Sequence, residues 1–183
     1  VAALLAEAFM EIPTALWLVD DPAERLAAVQ GQFELLVEHA LAHGGVVTEG
    51  ADGAVVWFDR TKDEPPILGY EERMREVCGE HYEKFAELDR VMDEHHPAEP
   101  HHYVALVGVR EDARGRGIAG AMLRRHHERL DDTGTPAYLE AVSLGTARLY
   151  ESLGYRRHGE PFRIGEGGPP LYPMWREAVP PGA

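Results

Sequence analysis

Cysteine is nearly absent: the 183 residues hold one, Cys78. A lone cysteine cannot close an internal disulfide, so the expected setting is reducing and intracellular, which for this chain means cytoplasmic. Long apolar runs are missing as well. None approaches the roughly eighteen residues of a membrane-spanning helix, and the first residues lack the basic and apolar blocks of a secretory signal. Positive charge is scarce, with 18 Lys and Arg against 32 Asp and Glu and a formal net charge of −14. So acidic a chain repels a polyanion, which argues against general nucleic-acid binding and favours a cationic partner such as a free amine. Internal repeats and low-complexity tracts are not found.

What is present is one domain, residues 1–183, with 44% hydrophobic and 27% charged residues. That composition is ordinary for a globular fold, and the length buries roughly two thirds of the unfolded surface. Residues 1–9 read as the middle of an amphipathic helix. Asp20 and Asp21 before Pro22 mark the start of a second helix, whose stripe of Leu26, Val29, Phe33, Leu36, Val37 and Ala40 runs toward Gly44. Residues 46–48 and 54–58, around a turn at Asp52 and Gly53, read as an antiparallel hairpin. A helical stripe from Met74 through Cys78 and Phe85 to Met92 predicts one long helix over 70–94. Strands are expected at 104–109, 137–142, 155–162 and 171–175, with helices after the glycine-rich loop and over 146–153, where Gly154 ends the helix. The tail at 180–183 reads as disordered.

The segment 104–155 carries the chemistry. A short apolar strand leads into Arg114, Gly115, Arg116, Gly117, Ile118, Ala119 and Gly120, and then into a helix. A glycine-dense loop that opens a helix presents unpaired N–H groups at the positive end of the helix dipole, which suits a phosphate. Gly115, Gly117 and Gly120 also spell G-x-G-x-x-G, with Glu140 downstream, as in a dinucleotide-binding oxidoreductase that takes NAD(P). That reading needs its first glycine directly after the strand, whereas residues 110–114 intervene, and too little chain follows for further parallel strands. Arg110, Arg114, Arg116, Arg124 and Arg125 make a local reversal of sign around the loop.

In order, spacing and residue type the segment resembles the GNAT superfamily of N-acetyltransferases. Residues 114–119 are similar to its R/Q-x-x-G-x-G/A loop. Leu149, Tyr150 and Glu151 with Gly154 and Tyr155 are similar to its L-Y-E-x-x-G-F signature. Within the superfamily the chain most resembles the puromycin N-acetyltransferase group, through Ala8, Phe9, Ile12 and Pro13, through 107–109, and through 136–140. The resemblance implies a single α/β (α+β) GNAT domain: a mixed, mostly antiparallel twisted sheet flanked by helices and splayed near its central strand. It also implies a first strand ahead of the helix at 1–9, outside the sequence given. The reaction implied is direct acetyl transfer from acetyl-CoA to a primary amine of a small molecule, such as an antibiotic, aminonucleoside or metabolite. A protein amine is a further acceptor, and a module that binds acyl-CoA without turnover is the rival from another class. An exposed sheet edge makes a homodimer plausible.

The resemblance also distributes roles. Leu106, Val107, Gly108 and Val109 would lie along the thioester and pantetheine arm, with Gly108 either leaving backbone free for the cofactor or marking a bulge. Residues 114–120 would hold the pyrophosphate. Thr146 stands where relatives often carry a cofactor-binding asparagine. Transfer then needs a base for the amine and an acid for the thiolate. Tyr150, a phenol that is neutral at working pH, is the expected acid. Glu140 at the end of its strand is the preferred base, with His102 and its neighbour His101 second because imidazole titrates near neutrality. His95, His96, His101 and His102 with Glu99 are dense enough to suggest a metal. Adjacent strand histidines diverge and the family chemistry requires no metal, so none is expected. His126 and His127 read as one packing and one solvent-facing residue.

Overall fold

A computed structural model describes residues 1–63 and 65–179. The tail at 180–183, expected to be disordered, lies outside the described residues. Two short helices, α1 (Ala2–Phe9) and α2 (Pro13–Leu18), precede the long α3 (Pro22–His43). Asp21 caps α3 as the sequence suggests, its side chain accepting from the amides of Ala23 at 2.9 Å and Glu24 at 3.0 Å. A hairpin follows, β1 (Gly44–Glu49) and β2 (Gly53–Asp59).

The single helix expected over 70–94 is two, α4 (Tyr70–Cys78) and α5 (Tyr82–His95), joined by a 3₁₀ turn at Gly79–His81. Gly79 takes φ +52°, a left-handed value that a side chain resists. Side-chain periodicity does not register this break, because Met74, Cys78, Phe85 and Val91 are buried on both sides of it.

The second half comprises β3 (His102–Val109), α6 (Ile118–Thr133), β4 (Ala137–Ala141), α7 (Leu144–Glu151), β5 (Arg156–Arg157), β6 (Phe162–Arg163) and β7 (Pro170–Arg176). The stretch 155–162 thus supplies only two short pieces of strand. The sheet order is β1-β2-β3-β4-β7-β5, with β6 added to β7. Every pairing is antiparallel except β3 with β4, so this is the mixed, mostly antiparallel sheet expected and not the doubly wound parallel sheet of a dinucleotide fold. Among the described residues no helix is long and apolar enough to cross a membrane.

Two features of β3 place the site. Its ladder with β4 is confined to His102 opposite Ala137 and Tyr103 opposite Tyr138, after which the two strands part. Against β2, Val56 opposes Leu106 and Trp57 opposes Val104, which leaves Ala105 as the extra residue of a bulge. Gly108, three residues on, is not that bulge. A Cβ there would stand 2.7 Å from Leu5 Cδ2 and 3.1 Å from Ala8 Cβ, so this glycine lets α1 lie close on the sheet.

Each face of the sheet has its own core. Leu5, Phe33, Phe58, Met74 and Phe85 gather under α1–α5, and Met122, Leu123, Leu130, Leu139 and Met174 under α6 and α7. Burying each such side chain is worth about 1.5–3 kcal/mol before entropy is charged. Arg176, buried on β7, grips Asp131 of α6 through two bonds of 2.8 Å, and the Val179 amide adds a third at 2.8 Å.

Candidate active site

From the end of β3 a 3₁₀ turn at Glu111–Ala113 carries the chain to the glycine loop. Gly115 and Gly117 both have positive φ, +77° and +76°, which turns the backbone sharply into the first residue of α6. Among the described residues the amides of 115–120 donate to no hydrogen bond, the first intrahelical bond at this end being Ala121 N–H to Gly117 O. A row of free donors at the positive end of a sixteen-residue helix fits a pyrophosphate.

The arginines divide. Arg110 pairs with Asp112, Arg116 with Asp52 and Arg125 with Glu49, while Arg114 donates to the carbonyls of Ala8 and Val109. Arg124 makes no ion pair among the described residues, and its guanidinium lies beside Gly120, 3.4 Å from where a Cβ would stand. Of the basic cluster, it is the arginine left to meet a phosphate.

Beyond Tyr103 and Tyr138 the facing edges of β3 and β4 carry unpaired backbone groups, a slot whose β3 wall is residues 104–109. On the α1–α5 side of the sheet lies a cavity of about 490 Å³, lined by Tyr103, Ala105 and Leu106 of β3 and by Glu140 of β4. Burial pushes the Glu140 carboxyl up to about 7, against the lesser pull of Tyr138, Tyr103 and Arg60 toward the charged form. Glu140 Oε1 and Tyr138 Oη are each buried without a hydrogen-bond partner. Tyr103 itself is pushed far above the ordinary phenol value, by burial first and then by Glu140, so it stays a neutral donor. The result is a carboxyl that is half ionised near neutrality, with phenols around it. A proton acceptor needs such a value.

Tyr150 lies on α7 in the core cluster of the opposite face, with Val107 and Val109 packed around the same cluster. Its phenol is pushed up to about 12 by burial, and no hydrogen bond engages its hydroxyl among the described residues. Thr146 is occupied locally. It forms a capping box with Ser143, accepting from the Ser143 amide at 3.1 Å and donating to the Ser143 carbonyl at 2.9 Å. The Ser143 hydroxyl, 3.1 Å away, meets its second lone pair.

His102 requires a correction. It does not line the cavity. Its ring stacks on Trp57 at 4.5 Å on the α6 side, with Nε2 3.7 Å from Asp59 Oδ1 and Nδ1 unpartnered. Alternation counted back from Gly108 puts 106, 104 and 102 on one face, but the extra residue at Ala105 shifts the parity and brings Tyr103 in instead. His101 is buried too, with Nδ1 donating to the Glu99 carbonyl at 2.6 Å and Nε2 facing His96 Nε2 at 3.0 Å. That arrangement fixes His96 Nε2 as the donor and consumes both imidazole edges, while His95 stacks on Phe162. The group of ligand atoms close enough for a cation among the described residues is Glu24, Glu80 and His81, away from this run. His126 and His127, expected to divide between core and solvent, are both buried, at 1% and 3% exposure.

Sequence reasoning missed Tyr103, Arg60, Tyr70 and Asp89, all of which line the cavity. Tyr103 and Tyr138 were accessible in principle: Tyr138 shares a face with Glu140 two residues away, and β3–β4 pairing sets Tyr103 opposite Tyr138.

Residues 70–157 match the family described as the acetyltransferase (GNAT) domain. The whole chain is similar in structure to the histone acetyltransferase HPA2 and related acetyltransferase from Corynebacterium glutamicum. That match has 26% identity over 100% of this chain and 91% of that one, with a TM-score of 0.73. The polyamine N-acetyltransferase of Drosophila melanogaster shares the fold at 21% identity, 95% and 91% coverage and a TM-score of 0.63. An agmatine N-acetyltransferase mutant in its apo form does so at 19% identity, 95% and 90% coverage and a TM-score of 0.58.

Proposed function

We propose, from the premise that the chain carries an acetyltransferase (GNAT) domain on the GNAT fold, that it moves an acetyl group from acetyl-CoA to a primary amine of a small molecule by direct transfer. The observation that carries this reading is the slot between β3 and β4, which has the free amides of 115–120 on its loop side and the Glu140 cavity on the other. Acetyl-CoA supplies the activated acyl group. Amides 115–120 and Arg124 hold its phosphates, and the unpaired edge of residues 104–109 orients its arm. The acceptor enters the step as a free amine, its ammonium proton already given to solvent, and Glu140, in its ionised form, takes the proton that the nitrogen loses as it bonds to the acyl carbon. Tyr150 gives a proton to the sulfur as the carbon–sulfur bond breaks. Both groups begin and end the cycle in the same state once solvent exchanges one proton between them.

The acidic surface and the carboxylates of the cavity support a cationic amine as acceptor. The motif likeness to the puromycin group supports beginning an amine screen with puromycin, and the structural neighbours support adding polyamines and agmatine. A second reading, a module that binds acyl-CoA without turnover, draws on the commitment of Thr146 to its capping box. Calorimetry with acetyl-CoA, followed by thiol release in the presence of the amine panel, separates the two. Micromolar binding with amine-dependent thiol release supports the enzyme, and binding without release supports the module. Absence of binding contradicts both.

A further inference from the structure

Arg25, near the start of α3, is 4% exposed, and among the described residues no carboxylate forms a salt bridge with it. Taking a guanidinium out of water without a counter-ion is costly unless its donors are met. Main-chain carbonyls meet them: Nε donates to Val19 O at 2.8 Å, one terminal nitrogen to Met10 O at 3.2 Å and the other to Asp20 O at 2.7 Å. Met10 and Val19 end α1 and α2, where carbonyls lack an intrahelical partner, and among the described residues no backbone amide donates to any of the three. The planar fork therefore closes residues 10–20 into a loop against α3, drawing both ends to one side chain. Between those ends lie Ile12, Thr14, Ala15 and Leu18, all in the cavity wall, whereas Arg25 itself does not line the cavity. Among the described residues the other hydrogen bond that reaches 10–20 from a distant element is that of the exposed Lys84 Nζ to Trp17 O at 2.6 Å. The rest of α1 is held separately, by Arg114 donating to Ala8 O at 3.1 Å and by Leu5 lying over Gly108.

We infer that Arg25 is a positioning residue for the acceptor: it fixes the wall segment 10–20 and thereby sets how tightly the cavity holds an amine, without touching the amine or the cofactor. This rests on the assignment of the cavity to the acceptor made above, and it adds a determinant of affinity that lies outside the lining. A six-residue helix such as α2 does not hold its place by its own hydrogen bonds. Without the fork, the carbonyls of the half-buried Met10 and the exposed Asp20 turn to water, and α2 between them loses its seat on α3. The cofactor loop keeps its own anchors at Ala8 and Gly108, so the loss is confined to the acceptor side.

The test compares the wild type with Arg25→Gln and Arg25→Lys in two measurements. In hydrogen exchange read by mass spectrometry, peptides from 10–20 should exchange at least about tenfold faster in Arg25→Gln, while those from 114–121 are unchanged. In thiol release at saturating acetyl-CoA, with puromycin, spermidine and agmatine as acceptors, KM for whichever amine is acetylated should rise at least about tenfold, with kcat and the acetyl-CoA Kd within about threefold. Lysine keeps the charge but spans fewer of the carbonyls, so Arg25→Lys should fall between, and it carries the test if the glutamine variant does not fold. Unchanged exchange over 10–20, exchange that rises alike in both regions of the lysine variant, or an unchanged KM overturns the inference. A wild type that releases no thiol with any of these amines counts against the acceptor reading and not against the brace, which the exchange comparison decides by itself.

Discussion

The two faces of the sheet are built on different terms. On the α6–α7 face, consecutive residues do the work: strand, 3₁₀ turn, glycine loop and helix follow one another over 102–133, and the core beneath them is closed. On the α1–α5 face the cavity is assembled from α1, α2, α3, β2, the segment 65–67 and α5, brought together from across the chain. On the function proposed above, the first face meets its ligand with backbone amides, which only a substitution to proline removes. The second meets it with side chains, and each can be exchanged without altering the sheet. On that proposal, cofactor recognition sits where the chain is locally determined, and acceptor recognition where it is not.

The largest expected effect that sharpens this contrast is at Tyr150, which belongs to the first face and is the proposed acid. Tyr150→Phe should lower kcat by about 10²-fold, the typical worth of a positioned acid, with acetyl-CoA affinity within about twofold. Steady-state kinetics alongside calorimetry checks this, and its hydroxyl has no partner to leave stranded. Next comes the tie between α6 and β7. Asp131→Asn should cost about 2–3 kcal/mol in denaturant unfolding, since it weakens charged bonds to the buried Arg176 guanidinium. Its effect on the acceptor KM should be small if the faces are energetically separable. Gly108→Ala should cost about 1–3 kcal/mol by forcing α1 away from β3, and because Ala8 and Leu5 move with it, acceptor kinetics should suffer more than cofactor binding.

The smallest effect at neutral pH, though not in acid, belongs to His126. Both of its ring nitrogens are buried without partners, and burial pulls its pKa down to about 3. A depressed folded value means that the unfolded chain binds the proton first. Stability is thus fully present above the unfolded value near 6.5 and is lost as pH falls toward 3. His126→Phe should flatten that loss in thermal melts taken between pH 7 and pH 4 while leaving the melt at pH 7 nearly unchanged. His127, also pulled down, to about 4, keeps a residual slope in the variant.

The same contrast explains what the sequence made legible. The loop 114–120 and the signature around Tyr150 are runs of neighbours whose spacing survives without the rest of the fold, and Glu140 lies one strand from each. Tyr103 and not His102 lines the cavity because one extra residue at Ala105 reverses strand parity, and a bulge has no signature in side-chain type. The break at Gly79 escaped because the apolar stripe continues through it. Asp89 reads on sequence as one acid among many in a charged helix. Only the packing of α5 over the sheet turns it toward a cavity, and that packing depends on contacts far apart in the chain.

The measurement closest to the central claim is the pH dependence of acetyl transfer for the wild type and for Glu140→Gln. With its carboxyl pushed up to about 7, Glu140 should give the wild-type kcat a break near pH 7, the rate rising as the carboxyl ionises. The variant should lose at least about 10²-fold in kcat together with that break. It should also be more stable than the wild type at pH 8, because a raised carboxyl destabilises the fold increasingly as pH rises above the unfolded value and up to 7. A Glu140→Gln enzyme that retains both the rate and the break near pH 7 would contradict the account and move the base away from this cavity.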